Sequence, residues 1–350
     1  ITPGASERAA LLVAQLNALG VETLGLTVRE EPKVSMVVDG VHLAQDARIE
    51  LVIGCGGGSV IDAGKAIAGL MTNPGDTLDY LEVVGRGVAL SRPSAPYIAI
   101  PTTAGTGSEV TRNAVLALPE RRVKVSLRSP LMLPRVAVVD PELTHTVPPD
   151  VTASTGLDAL TQLIEPFVCN ATTPITDALC RDGIRRAALS LRGACENGED
   201  GKAREEMALV SLFGGFALAN ARLGAVHGLA APLGGMFPAP HDPVCARLLP
   251  TVMDTNVRAL RSRAPASPAL ERYDEVAALL TGKPAARAEE GVEWIRTLCR
   301  DVGILPLSHF GLTRPEIHAV VVQGQKASSM KGNPIPLTDD ELTAILLEAL

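Results

Sequence analysis

Aromatic side chains are scarce in this 350-residue sequence, with one Trp, three Tyr and five Phe. That is too few to build the stacking platforms on which single-stranded nucleic acids are held. Positive charge is also short. Thirty-two Lys and Arg stand against 39 Asp and Glu, and a formal net charge of -7 has the wrong sign for a phosphate backbone or an anionic membrane surface. No run of about 18 apolar residues occurs, so a membrane-spanning helix is not expected. The opening Ile1-Thr2-Pro3-Gly4 has no charged segment leading into an apolar one, so no export signal is read there. The six cysteines (Cys55, Cys169, Cys180, Cys195, Cys245, Cys299) contain no C-x-x-C pair and no dense spacing. Neither a zinc ribbon nor a disulfide scaffold is implied, and a reducing, cytoplasmic setting fits. The 32 Gly and 26 Pro follow no period, which excludes collagen-like chains. A soluble protein of about two domains acting on a small molecule is what these absences leave. The start at Ile1, leading at once into a helical pattern, is read as a sign that residues precede it, the opening strand of the first domain among them.

Apolar residues recur at helical spacing over Glu7 to Leu19, and Gly20 offers a stop. A strand is expected over Val21 to Val28 and a weak helix over Val41 to Arg48. The runs Ile49 to Ile53, Pro96 to Ile100 and Arg135 to Asp140 are short and apolar, as in buried parallel strands. Strands alternating with helices or loops predict an α/β layer with a mostly parallel sheet. After Pro148-Pro149-Asp150 such runs give way to Ala- and Leu-rich helical segments, for example Asp177 to Leu191 and Arg204 to Ala221. The expected division is residues 1–149 as an α/β dinucleotide-binding domain and 150–350 as an all-helical domain. Arg263 to Arg272 reads as an exposed turn between helices.

Two loops of the first half carry ligand-binding chemistry. Gly54-Cys55-Gly56-Gly57-Gly58-Ser59 lies between a strand and a helix starting near Val60. Glycines let the backbone come close to a pyrophosphate, and the helix N-terminus attracts it. The spacing differs from G-x-G-x-x-G, and a tight turn needing positive φ would use the same residues. Pro101-Thr102-Thr103-Ala104-Gly105-Thr106-Gly107-Ser108-Glu109 follows the next strand, where open α/β sheets bind ligands. A helix cap would look similar, but two such loops in one layer favour a nucleotide.

In the second half, Asp158 and Gln162 stand one helical turn apart on one face, so their oxygens can converge on one cation. His227 lies in Gly224 to Gly235 with no other polar side chain near it, and if buried it needs a partner. His241 precedes Asp242, a plausible N-cap, and Pro243, a plausible first helical residue of a helix reaching about Met253. One carboxylate and two imidazoles form a donor set that Fe or Zn accepts. His42, His145, His309 and His318 lie in polar or capping contexts and are assigned surface or structural roles.

Taken in order, four motifs resemble those of the iron-containing (group III) alcohol dehydrogenase family. They are Gly56-Gly57-Gly58-Ser59-x-x-Asp62-x-x-Lys65-Ala66, Pro101-Thr102-Thr103-Ala104-Gly105-Thr106-x-x-Glu109-Val110, Gly156-x-Asp158-Ala159-Leu160-Thr161, and Leu223-Gly224-x-Val226-His227-Gly228 with Pro240-His241. Lys331-Gly332-Asn333-Pro334 extends the likeness toward the C-terminus. The resemblance implies an α/β dinucleotide-binding domain with a mostly parallel sheet, followed by an all-helical domain, the architecture shared with dehydroquinate synthases. It implies a divalent metal, Fe2+ ahead of Zn2+, held by Asp158, Gln162, His227 and His241, and NAD or NADP contacted by Gly57, Gly58, Ser59, Asp62, Thr102, Thr103, Thr106, Asn113, Lys124 and Thr144. Catalysis would then run through the metal ligands Asp158, His227 and His241, with a small alcohol or aldehyde as substrate and a homodimer or higher homo-oligomer as the assembly.

This sequence departs from the family pattern at three places. Gln162 stands where a histidine is typical, Ala231 where many relatives carry a further histidine four residues after His227, and Asp242 where Gly is frequent. A Gln amide is a weaker, harder donor than imidazole, and Ala231 allows no proton relay. Reduction of a maleylacetate-type oxo acid is the alternative chemistry, against which the retained Asp158 speaks. A nucleotide-binding protein with a decayed metal site is the non-catalytic alternative.

Overall fold

The structure, a computed structural model, describes residues 1–4 and 7–350. Its contacts divide the chain into two units, one of residues 1–103 and 108–143, the other of 104–107 and 144–350.

The first unit runs α1 (Glu7–Ala18), α2 (Val34–Asp46), β1 (Val52–Gly56), α3 (Gly58–Leu70), α4 (Thr77–Tyr80), β2 (Tyr97–Pro101), β3 (Asn113–Leu118), β4 (Val123–Arg128) and β5 (Val136–Ala137). Strands β1, β2 and β5 form a parallel sheet in that order, with Gly56 opposite Pro101 at its carboxyl edge. The glycine turn and the hydroxyl loop therefore leave the sheet side by side, and the Thr102 N–H donates to the Gly56 carbonyl at 3.0 Å.

Of the strand expected over 21–28, only an isolated parallel bridge between Thr2 and Thr27 forms. The weak helix expected over 41–48 begins earlier, at Val34, because Val34, Val37, Val41 and Ala44 make one buried face that packs on α3. The antiparallel hairpin β3–β4 was not expected. Its strands alternate in burial, and Arg122 closes the turn in the left-handed region.

The second unit is helical: α5 (Pro149–Val168), α6 (Pro174–Glu196), α7 (Gly201–Asn220), α8 (Ala225–Met236), α9 (His241–Arg263), α10 (Pro268–Thr281), α11 (Ala288–Asp301), α12 (Ile317–Gly324) and α13 (Asp339–Ala349). Helix α5 starts with Pro149 and Asp150, both suited to a first turn, and is buried on every side from Thr152 to Val168. It packs against α6, α7 and α9 and forms the axis of the unit's core. Residues 144–149 go with this unit because Arg204 of α7 reaches back to the Val147 carbonyl and the Thr152 hydroxyl.

The turn expected over 263–272 narrows to 264–267, since Ser267 caps α10 through the Ala269 N–H. Among the described residues, no single helix is long and apolar enough to cross a membrane.

Candidate active site

In the first unit, Gly57 is the N-cap of α3, and Gly58 and Ser59 open the helix. The first backbone N–H groups of a helix have no acceptor within it and carry its positive dipole end. These residues, with Thr102 and Thr103, are only partly buried.

Behind them lies a closed polar network. The Lys65 ammonium is fully buried. It donates to the Ser108 carbonyl at 2.7 Å, the Ser108 hydroxyl at 2.8 Å, the Thr111 hydroxyl at 3.0 Å and the Asn113 carbonyl at 2.7 Å. Asp62 is occupied too. One oxygen accepts from the Ser108 hydroxyl and the other from the Val115 N–H at 2.9 Å. Both therefore fix the loop after β2 and the start of β3. Burial lowers the Lys65 pKa against the opposing pull of Asp62 and Glu109, and burial raises that of Glu109. The Lys124 ammonium pairs with Glu31 at 2.5 Å, and Asn113 is the first residue of β3.

In the second unit, the hydroxyl loop contributes Ala104 to Gly107. Gly107 has a φ of +57, and a Cβ there would come within 2.5 Å of the Gly215 backbone on α7, so no other residue fits without strain. Thr106 is partly buried and Thr144 is buried.

Asp158 and Gln162 face the same way from α5, and the Gln162 amide donates to Asp158 Oδ2 at 2.6 Å and to the Gly105 carbonyl at 3.3 Å. The other Asp158 oxygen, Oδ1, lies 3.6 Å from His227 Nε2 and 3.8 Å from His241 Nε2. His241 is itself the first residue of α9, with Pro240 as N-cap, so it sits inside the helix and not before an Asp242 cap as the sequence suggested. Helix geometry then places Cys245 one turn on. Its Sγ is 3.5 Å from His241 Nε2, and the donor atoms of Asp158, His227, His241 and Cys245 all fall within 4.8 Å of one another.

Glu165 was missed by the sequence reading. Its Oε1 accepts from the Val226 N–H at 2.7 Å, satisfying a buried first-turn N–H of α8, and its Oε2 pairs with His227 Nδ1 at 2.7 Å. A carboxylate on Nδ1 favours a proton there and orients Nε2 toward Asp158. The spacing Asp158, Gln162, Glu165 is the signal that could have found it. Burial alone would lower the His227 pKa, but the hydrogen bond and charge of Glu165, with Asp158 and Asp242 behind, hold it above the usual value. Asn333, from the Lys331-Gly332-Asn333-Pro334 segment, accepts from the Ala225 N–H at 3.1 Å and so holds the start of α8.

Two oxygens in this cluster have no hydrogen-bond partner although both are buried, Asp158 Oδ1 and Gln162 Oε1. A buried carboxylate oxygen facing two imidazole nitrogens is costly unless a proton or a cation completes it. The donor set, carboxylate, amide oxygen and two imidazoles, suits a divalent first-row metal.

An α/β unit with a glycine turn at the carboxyl edge of a parallel sheet is thus followed in the chain by a helical unit with this donor cluster. Residues 2–141 match the iron-containing alcohol dehydrogenase family model, and residues 152–350 match the Fe-containing alcohol dehydrogenase family C-terminal model. The chain belongs to the iron-containing alcohol dehydrogenase family. It is 37% identical over 324 residues to alcohol dehydrogenase 4 of Schizosaccharomyces pombe, covering 92% of this chain and 74% of that protein. The solved structure of a 1,3-propanediol oxidoreductase superposes with a TM-score of 0.90 at 33% identity, covering 100% of this chain and 91% of that one. Sulfoacetaldehyde reductase from Bifidobacterium kashiwanohense, solved in complex with NAD+, gives a TM-score of 0.86 at 29% identity, covering 99% and 89%. The chain is thus an alcohol and aldehyde oxidoreductase with an α/β domain followed by a helical one.

Proposed function

We propose that this protein is an NAD(P)-dependent alcohol dehydrogenase or aldehyde reductase that uses a divalent metal, bound by Asp158, Gln162, His227 and His241, to act on a small alcohol or aldehyde. The observation that carries the reading is the unpartnered, fully buried Asp158 Oδ1 facing the Nε2 atoms of His227 and His241.

When bound, the metal supplies Lewis-acid polarisation of a substrate oxygen and the nicotinamide exchanges the hydride. The chain's own residues do the rest. Glu165 holds Nδ1 of His227, so that Nε2 would be the nitrogen offered to the metal, and Gln162 fixes the carboxylate plane of Asp158 through Oδ2. The backbone N–H groups at Gly58 and Ser59 serve the cofactor's phosphates, and Gly57 leaves room for them. Thr102, Thr103, Thr106, Asn113 and Thr144 are assigned contacts to the rest of the dinucleotide. Asp62 and Lys124 act chiefly by holding the surrounding loops, since their charged ends are already engaged by Ser108 and Val115, and by Glu31. Ala231 has no titratable group, so that side chain takes no part in a proton relay.

The sulfoacetaldehyde reductase complex supports NAD, and six buried cysteines outside any disulfide suit a cytoplasmic setting. Retention of Asp158 weighs against the maleylacetate branch, and the convergence of its donors weighs against a decayed site. The test is oxidation of NADH and NADPH with a panel of short aldehydes, before chelation, after it, and after adding back Fe2+ or Zn2+. Turnover lost on chelation and restored by a metal is expected. No turnover with any metal would reject the proposal.

A further inference from the structure

Helix α9 presents a second donor of its own. His241 and Cys245 are four residues apart on one face, just as Asp158 and Gln162 are on α5. A tetrahedral ion with bonds of about 2.0–2.1 Å to nitrogen or oxygen and about 2.3 Å to sulfur places neighbouring donors about 3.3–3.6 Å apart. The Cys245 Sγ to His241 Nε2 separation of 3.5 Å matches an N–S edge of that figure, and the Asp158 separations of 3.6 and 3.8 Å lie just beyond its N–O edges. Cys245 is fully buried and outside any disulfide, and it shares the cluster with Asp158 Oδ1 and Gln162 Oε1.

We propose that Cys245, as a thiolate, is a protein ligand of the metal in this chain, joining Asp158, His227 and His241 and compensating for the weak amide donor at Gln162. The proposal rests on the metal-site reading above. On binding, the S–H bond breaks heterolytically, the proton passes to buffer and the sulfur pair enters the metal coordination, with no change of oxidation state. Two consequences follow. Asp158 and Cys245 together neutralise a dication, so the site polarises a substrate oxygen less than one carboxylate alone would allow. A thiolate donor also ranks Zn2+ and Co2+ above the harder Mg2+ and Mn2+.

The full chain, stripped with chelator, is titrated with Co2+ and followed by metal analysis and by near-ultraviolet and visible absorption. One Co2+ per chain with an intense thiolate-to-cobalt charge-transfer band is expected. The band should vanish in both Cys245→Ser and Cys245→Ala and persist in Cys299→Ser, a buried thiol on α11. The two Cys245 variants should still bind Co2+, about tenfold or more weakly. Stoichiometric Co2+ without the band in the wild-type chain would overturn the assignment of Cys245 and leave the metal site standing. Folded protein, by circular dichroism, that binds no Co2+ would overturn both.

Discussion

Lys65 in the first unit and Asp158 in the second are each fully buried charges, and their surroundings differ in kind. Every proton of the Lys65 ammonium meets an oxygen, and the carboxylate beside it, Asp62, has both oxygens taken. Asp158 is held by one oxygen only. Its other oxygen, and that of Gln162, are buried without a hydrogen-bond partner, beside the imidazoles of His227 and His241 and the thiol of Cys245. A closed network stabilises a fold by satisfying what it buries, whereas an open one keeps a desolvation penalty that only a ligand can remove. On the proposed reading, the difference separates a residue that shapes the loop after β2 from residues that would hold a cation, although both stand in motifs of the same family.

If that contrast is right, variants should fail in different ways. Lys65→Met strips the shared donor from Ser108, Thr111 and Asn113 and leaves Asp62 and Glu109 without their buried counter-charge. A loss of about 3–5 kcal/mol in denaturant unfolding is expected, with metal content per folded chain unchanged. Loss of metal without loss of stability would erase the distinction. Asp158→Asn should do the reverse. Stability should hold or rise, because an unpaired buried charge is removed, while metal content collapses and kcat/KM falls by about 100- to 1000-fold, the loss of several kcal/mol of Lewis-acid catalysis. Gln162→Ala, which removes a neutral donor, should cost less than Asp158→Asn in the same assays. A smaller effect again is expected of Glu165→Gln. It keeps the shape beside His227 but weakens the fixed tautomer, and metal affinity by titration should drop about 10- to 100-fold. An unchanged affinity would show that Glu165 serves only the start of α8.

The same contrast explains what could be read before the fold was known. The glycine turn, the hydroxyl loop, Asp158 and the two histidines were legible because each breaks an otherwise apolar or regular stretch. Glu165 and Cys245 were not. Each looks like an ordinary helical residue until α8 and α9 bring His227 and His241 beside α5, and that packing is a long-range fact. The β3–β4 hairpin was missed although Val123-Lys124-Val125-Ser126-Leu127-Arg128 alternates, because its partner Asn113 to Leu118 is apolar enough to pass for loop or core. His241 was misplaced by one step of helix geometry. The Asp242-Pro243 pair is a good capping signal, but Pro240 before it serves as the N-cap, and the helix begins two residues earlier.

A closed pair inside the helical unit gives the control. Arg272 of α10 holds Asp177 of α6 with two hydrogen bonds of 2.8 Å and donates a third to the Phe167 carbonyl. Partial burial would raise the Asp177 pKa, but these bonds and that of the Thr172 hydroxyl outweigh it and hold the carboxyl below its usual value. A carboxyl whose pKa is depressed by folding adds stability above its unfolded pKa of about 3.9 and loses it as the pH falls through the lower folded value. Arg272→Met should therefore cost about 1.5–3 kcal/mol at neutral pH, with the gap from wild type closing as the pH drops below about 4. Urea midpoints at pH 7 and pH 3.5 read this directly. Because Arg272 closes a network away from the donor cluster, Co2+ stoichiometry at pH 7 should stay the same. A variant that lost both stability and metal would mean that closed and open clusters in the helical unit are coupled, and the simple division between them would fail.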